Sequence, residues 1–496
     1  MTLLILLLSL SVRAQQKPTG KPQTEQYNVI FILSDDHRFD FMGFMNKGPG
    51  LRTPNMDRLA REGAHLQNAF VTTSLCSPSR ASILTGQYAH THTVVDNQAP
   101  MPKGLIFFPE YLQKAGYRTG FFGKWHMGNT NGMPQPGFDE WISFKGQGVY
   151  RNPMLNINGK FVKKQGYITD LLTDYALGWL DTLNRQKPFF LYLSHKAVHA
   201  MFQPEKKYDG VYKNMPIIGP PSMYLTATDS SKYYGVQQGA QTPVNYADIP
   251  LWVRRQRYSW HGVDHLYDGQ MPYEKFYRKY CETLLSVDES IGRVMTWLKE
   301  HHLDKNTLVI YMGDNGFQFG EHGLIDKRTM YEPSIRVPLL AWCPNLIKPG
   351  TKVKQMVENI DIAPTILDVA GVSEPAQMQG KSFLPILEGK KIPWRDKIFY
   401  EYYWEWAFPM TPTIFGIRTD RYKYIYNWGV WDINELYDLQ KDPEEMNNLI
   451  RDPAYFDIAK KLKKELWEWL DKTGGMEIPL KKTDSKRHHI PYQNTY

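Results

Sequence analysis

The segment LCSPSRASILTG, from Leu75 to Gly86, sets a lone cysteine, Cys76, two residues ahead of Pro78 and at the head of an apolar stretch that should begin a helix. Proline favours the first turn of a helix, and the helix N-terminus stabilises negative charge. Cys76 is then either a small buried residue or a thiolate nucleophile of the kind hydrolases use. Other chemically capable side chains come in pairs: Asp35 with Asp36, Lys124 with His126, His195 with His199, and Asp314 with Asn315. Taken singly each pair says little. DD and DN most often make turns or helix caps, and an isolated KxH is most often a solvated lysine beside a packed histidine.

Their shared position says more. Each pair follows directly on a short apolar run rich in β-branched and aromatic residues: Asn28 to Ser34, Gly120 to Gly123, Pro188 to Ser194, and Thr307 to Gly313. Continuous apolar runs suit strands buried on both faces, as in a parallel sheet flanked by helices, where ligand sites gather at the carboxyl ends of strands. One site built from all four segments follows. Helical periodicity over Asn55 to Glu62, Pro109 to Ala115 and Tyr273 to Lys299 completes an α/β alternation. From 201 to 272 the pattern loosens into an aromatic, Pro- and Gly-rich insert bordering the site, with Tyr233, Tyr234, Trp252 and Trp260. Beyond Pro385 the chain reads as a smaller α+β part: Gly416 to Tyr426 alternates like one strand, Glu435 to Leu439 pairs with it, and Phe456 to Lys472 is an amphipathic helix stopped at Gly474. The predicted division is 26–385 catalytic, 386–485 C-terminal, and 486–496 tail.

Composition narrows the function classes. With 59 Lys+Arg against 51 Asp+Glu, the net charge of +8 over 496 residues is too mild for a dedicated nucleic-acid binder. Hydrophobic residues at 42% and charged residues at 22% support a large core and argue against wholesale disorder. Cys76, Cys281 and Cys343 are far apart and lack CxxC spacing, which excludes a disulfide scaffold and a zinc or redox site. The start, MTLLILLLSLSVRAQQ, carries an apolar run too short to span a bilayer, followed by Val12, Arg13 and Ala14. It predicts a signal peptide over 1–14 and an exported protein, periplasmic or secreted, with no membrane span and no lipoprotein anchor.

From about Gln26 to Leu449 the chain resembles the type I sulfatases. Cys76, Ser77, Pro78, Ser79 and Arg80 match their CxPSR signature, and Leu84 to Gly86 continue it; Gln87 stands where many relatives carry Arg. In that family the cysteine becomes formylglycine through a formylglycine-generating enzyme. The resemblance implies an alkaline-phosphatase-like α/β fold and one Ca²⁺, held by Asp35, Asp36, Asp314 and Asn315 with the oxygen of modified Cys76. An all-oxygen set with three carboxylates suits such a hard cation. It further implies that Arg80, Lys124 and Lys327 hold sulfate, that His126 takes a proton when sulfate is expelled, and that His199 protonates the leaving oxygen. His195 reads as structural. Relatives often have Pro around the matching histidine, whereas this chain has Val198, Ala200 and Met201.

Lysines in place of a second metal favour a monoanionic sulfate ester over a phosphate monoester. A phosphodiesterase or phosphonate monoester hydrolase of the same superfamily stays open, as does an inactive carbohydrate-binding homologue. The expected substrate is a sulfated oligosaccharide or polysaccharide, contacted through the insert by Arg254, Arg255, Arg257, Trp260 and His261.

Overall fold

The computed structural model describes residues 26–477 apart from 49, 129–131, 225–235 and 238–245, so the signal peptide, the 486–496 tail, Tyr233 and Tyr234 lie outside the described residues. All four apolar runs form strands of one mixed, mostly parallel sheet. In chain order its ten strands are β1 (Asn28–Ser34), β2 (Ala64–Phe70), β3 (Arg118–Gly123), β4 (Glu140–Ser143), β5 (Met154–Ile157), β6 (Lys160–Lys163), β7 (Phe189–Ser194), β8 (Thr307–Gly313), β9 (Leu339–Trp342) and β10 (Thr351–Glu358). They lie in the order β10-β2-β9-β8-β1-β7-β3-β4-β5-β6. The centre, β8 to β4, is parallel; β9 runs antiparallel to both β8 and β2, and β5 with β6 forms an antiparallel edge hairpin.

The unbroken apolar runs have a direct structural reason. Along β1, Val29, Phe31 and Leu33 enter one core while Ile30 and Ile32 enter the other; along β8, Leu308, Ile310 and Met312 part from Val309 and Tyr311 in the same way. Successive side chains of a strand point to opposite faces, so a strand covered on both sides needs apolar residues at every position. The first face is covered by the helices Cys76–Thr85 and Ile362–Val369, the second by Ile168–Thr182 and Tyr273–Glu300.

Register brings the reactive ends level. Ser34 pairs with Gly313, Leu33 with Ser194, and Gly123 with Ser194. The polar residues that follow therefore leave the sheet at one edge, and the ladder continues briefly beyond it: Asp35 N–H donates to Ala197 O (2.9 Å), Asp314 N–H to Ser34 O (2.9 Å) and Lys124 N–H to Ser194 O (2.8 Å).

A second, antiparallel sheet holds β11 (Lys397–Tyr402), β12 (Thr413–Thr419), β13 (Tyr422–Trp428) and β14 (Glu435–Asp438). The single strand expected over Gly416 to Tyr426 is in fact a hairpin, turning at Asp420 and Arg421 between β12 and β13. The helix Phe456–Thr473 packs on this sheet and ends at Gly474, whose φ of +81° suits glycine at a helix C-terminus. The sheet is tied to the loop that precedes Cys76. Glu401 N–H donates to Thr72 O (2.9 Å), and Ser74 N–H to the Tyr400 hydroxyl (3.4 Å). In the described part of 201–272 the insert is not one open loop: it contains the helix Leu251–Gln256 and several short helical turns.

Candidate active site

Cys76 is the first residue of its helix and is fully buried. Burial, and next the Asp35 carboxylate, push its thiol up to about 12, so the encoded side chain is not a thiolate at neutral pH. Its Sγ lies 3.4 Å from Asp35 Oδ1 and 3.2 Å from Lys327 Nζ. One turn on, Arg80 faces the same side. Its Nε donates to Asp314 Oδ2 (2.9 Å) and its Nη1 to Lys124 O and Ser194 Oγ (both 2.7 Å). Arg80 thus braces the ends of β3, β7 and β8, and it does not line the cavity above.

Carboxylate oxygens of Asp35, Asp36 and Asp314 lie within 4.8 Å of one another, all buried. Asp36 N–H donates to Asp314 Oδ1 (2.9 Å), and Asn315 Nδ2 donates to Asp36 Oδ1 (2.7 Å). Two lysines reach into this cluster, Lys124 to Asp35 and Lys327 to Asp36. Burial opposes charge on Asp35, but Lys124 and the cations beyond it hold its carboxyl well below the usual range. Burial raises Asp36 to about 7 against the pull of Lys327, and raises Asp314 as well. Three buried carboxylates at one point, two of them pushed upward by burial, and the buried Asn315 Oδ1, which lacks a hydrogen-bond partner, form an all-oxygen donor set. A hard divalent cation fits it.

His126 and His199 stand at the floor of a cavity of about 530 Å³, together with Lys327. Burial, and after it Lys124, hold both imidazoles well below their ordinary value, so both are neutral in the resting site. Ser77, next to Cys76, donates its hydroxyl to His126 O. His126 itself sits at φ +53° and Asp36 at the same value, a left-handed conformation uncommon outside glycine and found where surroundings over-determine the backbone. His199 Nδ1 faces Ala200 O at 2.5 Å, and its own carbonyl accepts from the Tyr150 hydroxyl (2.6 Å). His195 is buried away from the cavity with Nε2 3.0 Å from Ser290 Oγ, a packing position.

Of the five residues expected to contact sugar, the structure brings only Trp260 to the cavity. Arg257 is buried and pairs with Asp264 (2.9 Å), while donating to Met223 O (2.5 Å), which makes it a strut for the insert. His261 lies behind the wall, 3.0 Å from Asp326. Arg254 is half-buried and Arg255 exposed on their helix, outside the cavity lining. The wall is made instead by residues that sequence reasoning passed over. Arg328 donates Nε to Glu405 (2.8 Å) and Nη1 to Asp326 (2.9 Å), with its guanidinium 3.8 Å over the Phe408 ring. Lys145 and Gln147 also line the cavity. Lys196 was also missed: it is buried beside the carboxylates with its ammonium 4.7 Å over the Tyr150 ring, and burial, followed by Lys124, lowers it to about 7. Only the DKR triplet around Lys327 hinted at Asp326 and Arg328.

The family model for sulfatases matches residues 27–372, and that for the C-terminal part of N-sulphoglucosamine sulphohydrolase matches 320–472. The chain is 35% identical to an N-acetylglucosamine-6-O-sulfatase of Bacteroides thetaiotaomicron, over 95% of this chain and 90% of the relative. It is 30% identical to the N-acetylglucosamine-6-sulfatase of Homo sapiens, covering 86% of this chain and 82% of that one. Among solved structures, a protein in complex with its substrate D-glucosamine-2-N,6-O-disulfate superposes with a TM-score of 0.80 at 30% identity, covering 92% of this chain and all of that one. The chain belongs to the sulfatase family of the alkaline phosphatase superfamily, and it is a sulfuric ester hydrolase.

Proposed function

We propose that this sulfatase removes a 6-O-sulfate from a glucosamine or N-acetylglucosamine unit at the end of a sulfated saccharide. The observation that carries the reading is the cavity. Its floor is cationic and proton-handling, through Lys327, His126 and His199, while its wall offers fixed acceptors for hydroxyl groups, Asp326 and Glu405, and apolar faces, Trp260 and Phe408. A space of about 530 Å³ takes a sugar-sized ligand rather than an open polymer groove. The names of the relatives support the choice of sugar and of position.

Ca²⁺ would be held by Asp35, Asp36, Asp314 and Asn315, where it would offset the charge of the sulfate and polarise the attacking oxygen. Cys76, matured to formylglycine by a formylglycine-generating enzyme, would supply as its hydrate the hydroxyl that attacks sulfur. The remaining work belongs to encoded side chains. Lys327 exchanges part of its contact with Asp36 for the sulfate oxygens, while Lys124 and Arg80, buried outside the cavity lining, add their positive charge. An anion at the floor counters the depression that the lysines impose on the histidines, so that His199 can hold the proton given to the leaving sugar oxygen. His126, tied to the Cys76 turn through Ser77, accepts the proton released when sulfate departs. Burial of the floor excludes bulk water. The chain reads as catalytic over 26–385 with a C-terminal part over 386–485, and as exported, on the apolar run near its start; no helix among the described residues is long and apolar enough to cross a membrane.

Desulfation of defined saccharides, followed chromatographically, tests the reading. N-acetylglucosamine 6-sulfate should be the best of a panel including 3-O-, 4-O- and N-sulfated sugars and an aryl phosphodiester. Cys76→Ala should lose at least about 10³-fold in turnover while remaining folded. A preference for the phosphodiester, or normal turnover by Cys76→Ala, would refute it.

A further inference from the structure

Of the 14 tryptophans in the chain, four have more than a third of their surface in solvent, and all four fall between 404 and 431: Trp404 (45%), Trp406 (59%), Trp428 (37%) and Trp431, which is fully exposed. Tryptophan buries more apolar surface than any other side chain, and a cluster left in water marks a place where something else supplies the cover. The fold brings the two connections that carry them to one end of a sheet. Thr413 pairs with Trp428, and Tyr402 with Ile414, so the β11–β12 and β13–β14 connections leave the C-terminal sheet at the same end.

That end adjoins the cavity. The β11–β12 connection turns Glu405 and Phe408 into the cavity wall and carries Trp404 and Trp406 on either side of Glu405. It is firmly held: Glu405 accepts from Arg328 and from the Tyr402 hydroxyl (2.9 Å), Trp404 N–H donates to Thr413 Oγ1 (2.9 Å), and Thr411 donates to Gln256 Oε1 (3.0 Å). The second connection is anchored to the insert, since Asp432 Oδ2 accepts from Trp252 N–H (2.8 Å) in the Leu251–Gln256 helix. The same helix exposes Arg255. Rings displayed from anchored loops are pre-organised, so little ordering cost attends contact with a ligand.

We infer that Trp404, Trp406 and Trp431 form an accessory saccharide-binding surface outside the cavity, for the sugar units that continue from the sulfated residue held within it. Aromatic faces stack on the apolar faces of pyranose rings, and Arg255 supplies a cation for sulfate or carboxylate groups on those units. The occupant is an anionic oligosaccharide, because Trp404 and Trp406 flank Glu405 of the cavity wall and the Trp431 connection is tied to the helix that exposes Arg255. The inference rests on the saccharide reading of the cavity and adds a second contact zone to it.

The test compares a heparan-type hexasaccharide ending in glucosamine 6-sulfate with N-acetylglucosamine 6-sulfate, by initial rates and by titration calorimetry. The proteins are the parent, Trp406→Ala/Trp431→Ala and Trp406→Phe/Trp431→Phe. The alanine pair should raise KM and Kd for the hexasaccharide about tenfold while altering kcat/KM for the monosaccharide less than about twofold, and the phenylalanine pair should recover most of the loss. If neither sugar is turned over but hexasaccharide binding still weakens in the alanine pair, the surface stands and the 6-sulfate reading falls. Unchanged hexasaccharide Kd and KM in the alanine pair overturns the inference. So does a parent dimer that the alanine pair converts to monomer with sugar binding intact, since the patch is then an interface between copies.

Discussion

Asp314 serves two partners at once. One carboxylate oxygen receives Asp36 N–H, and the other receives the buried Arg80 guanidinium. Removing it altogether should therefore do more than empty a ligand position. Asp314→Ala leaves Arg80 with Asp35 at 3.9 Å as its nearest carboxylate and should cost about 3–5 kcal/mol of stability. Asp314→Asn, of the same shape, should stay folded and still lose the proposed Ca²⁺ and activity. Thermal melts with elemental analysis separate the two effects, and an Asp314→Ala protein as stable as the parent would dismiss the bracing role. That Asp35, Asp36, Lys124, Asp314 and Asn315 meet at one place was legible because each closely follows a strand-like run, whereas Cys76, Arg80 and Lys327 were picked out by their resemblance to sulfatase motifs. Lys196, Arg328 and Glu405 were not. Glu405 lies in an unremarked connection and reaches the cavity only because Arg328, 77 residues earlier in the chain, is folded against it.

At the scale of elements, the level ends of β3 and β7 depend on a residue without a side chain. Gly123 holds φ at +132°, and a Cβ there would stand 1.7 Å from Ser194 O, the acceptor of Lys124 N–H. Gly123→Ala should destabilise by at least about 3 kcal/mol through clash and strain together, and should displace Lys124. Gly146→Ala, at φ +56° in open space, should cost only about 1–2 kcal/mol, which makes it the matched control in chemical denaturation. Equal losses in the two would mean that close approach at Gly123 is unimportant. Strand positions were readable from apolar runs, yet the β12–β13 hairpin was not, because alternation carries through its turn and hides the break at Asp420. The arginines of the insert misled for a related reason. Closeness in sequence does not survive a helix, which sends Arg255 to solvent while Arg257, just past its end, goes inward.

Across the whole molecule, the two sheets are coupled by buried charge. His90, beside the helix that begins at Cys76, lies 2.7 Å from Glu401 of β11. Burial opposes a charged imidazole, but Glu401 overcomes it and raises the His90 pKa above 6.5, while burial likewise opposes charge on Glu401 and His90 lowers its carboxyl. A group whose pKa is raised on folding stabilises fully below its unfolded value and loses that contribution as pH rises through the folded one. The melting temperature of the parent should therefore fall more steeply than that of His90→Gln as pH rises above the ordinary imidazole value of 6.5. Parallel curves would show that the pair carries no net coupling.

The bonds that join β11 to the Thr72–Ser74 loop also set an order of events in time. Tyr400 lies 326 residues beyond Ser74, and in the finished fold Cys76 has no surface in solvent. An enzyme that converts Cys76, as proposed, would therefore act before the chain around it has folded, while the second sheet is not yet tied to that loop. At about 5–20 residues per second, a ribosome leaves about 15–65 s between exposing the cysteine and supplying the strand that ties down the loop before it. On the proposed conversion of Cys76, the yield of mature protein would be a race between the modifying enzyme and chain elongation, and slower translation should favour the enzyme.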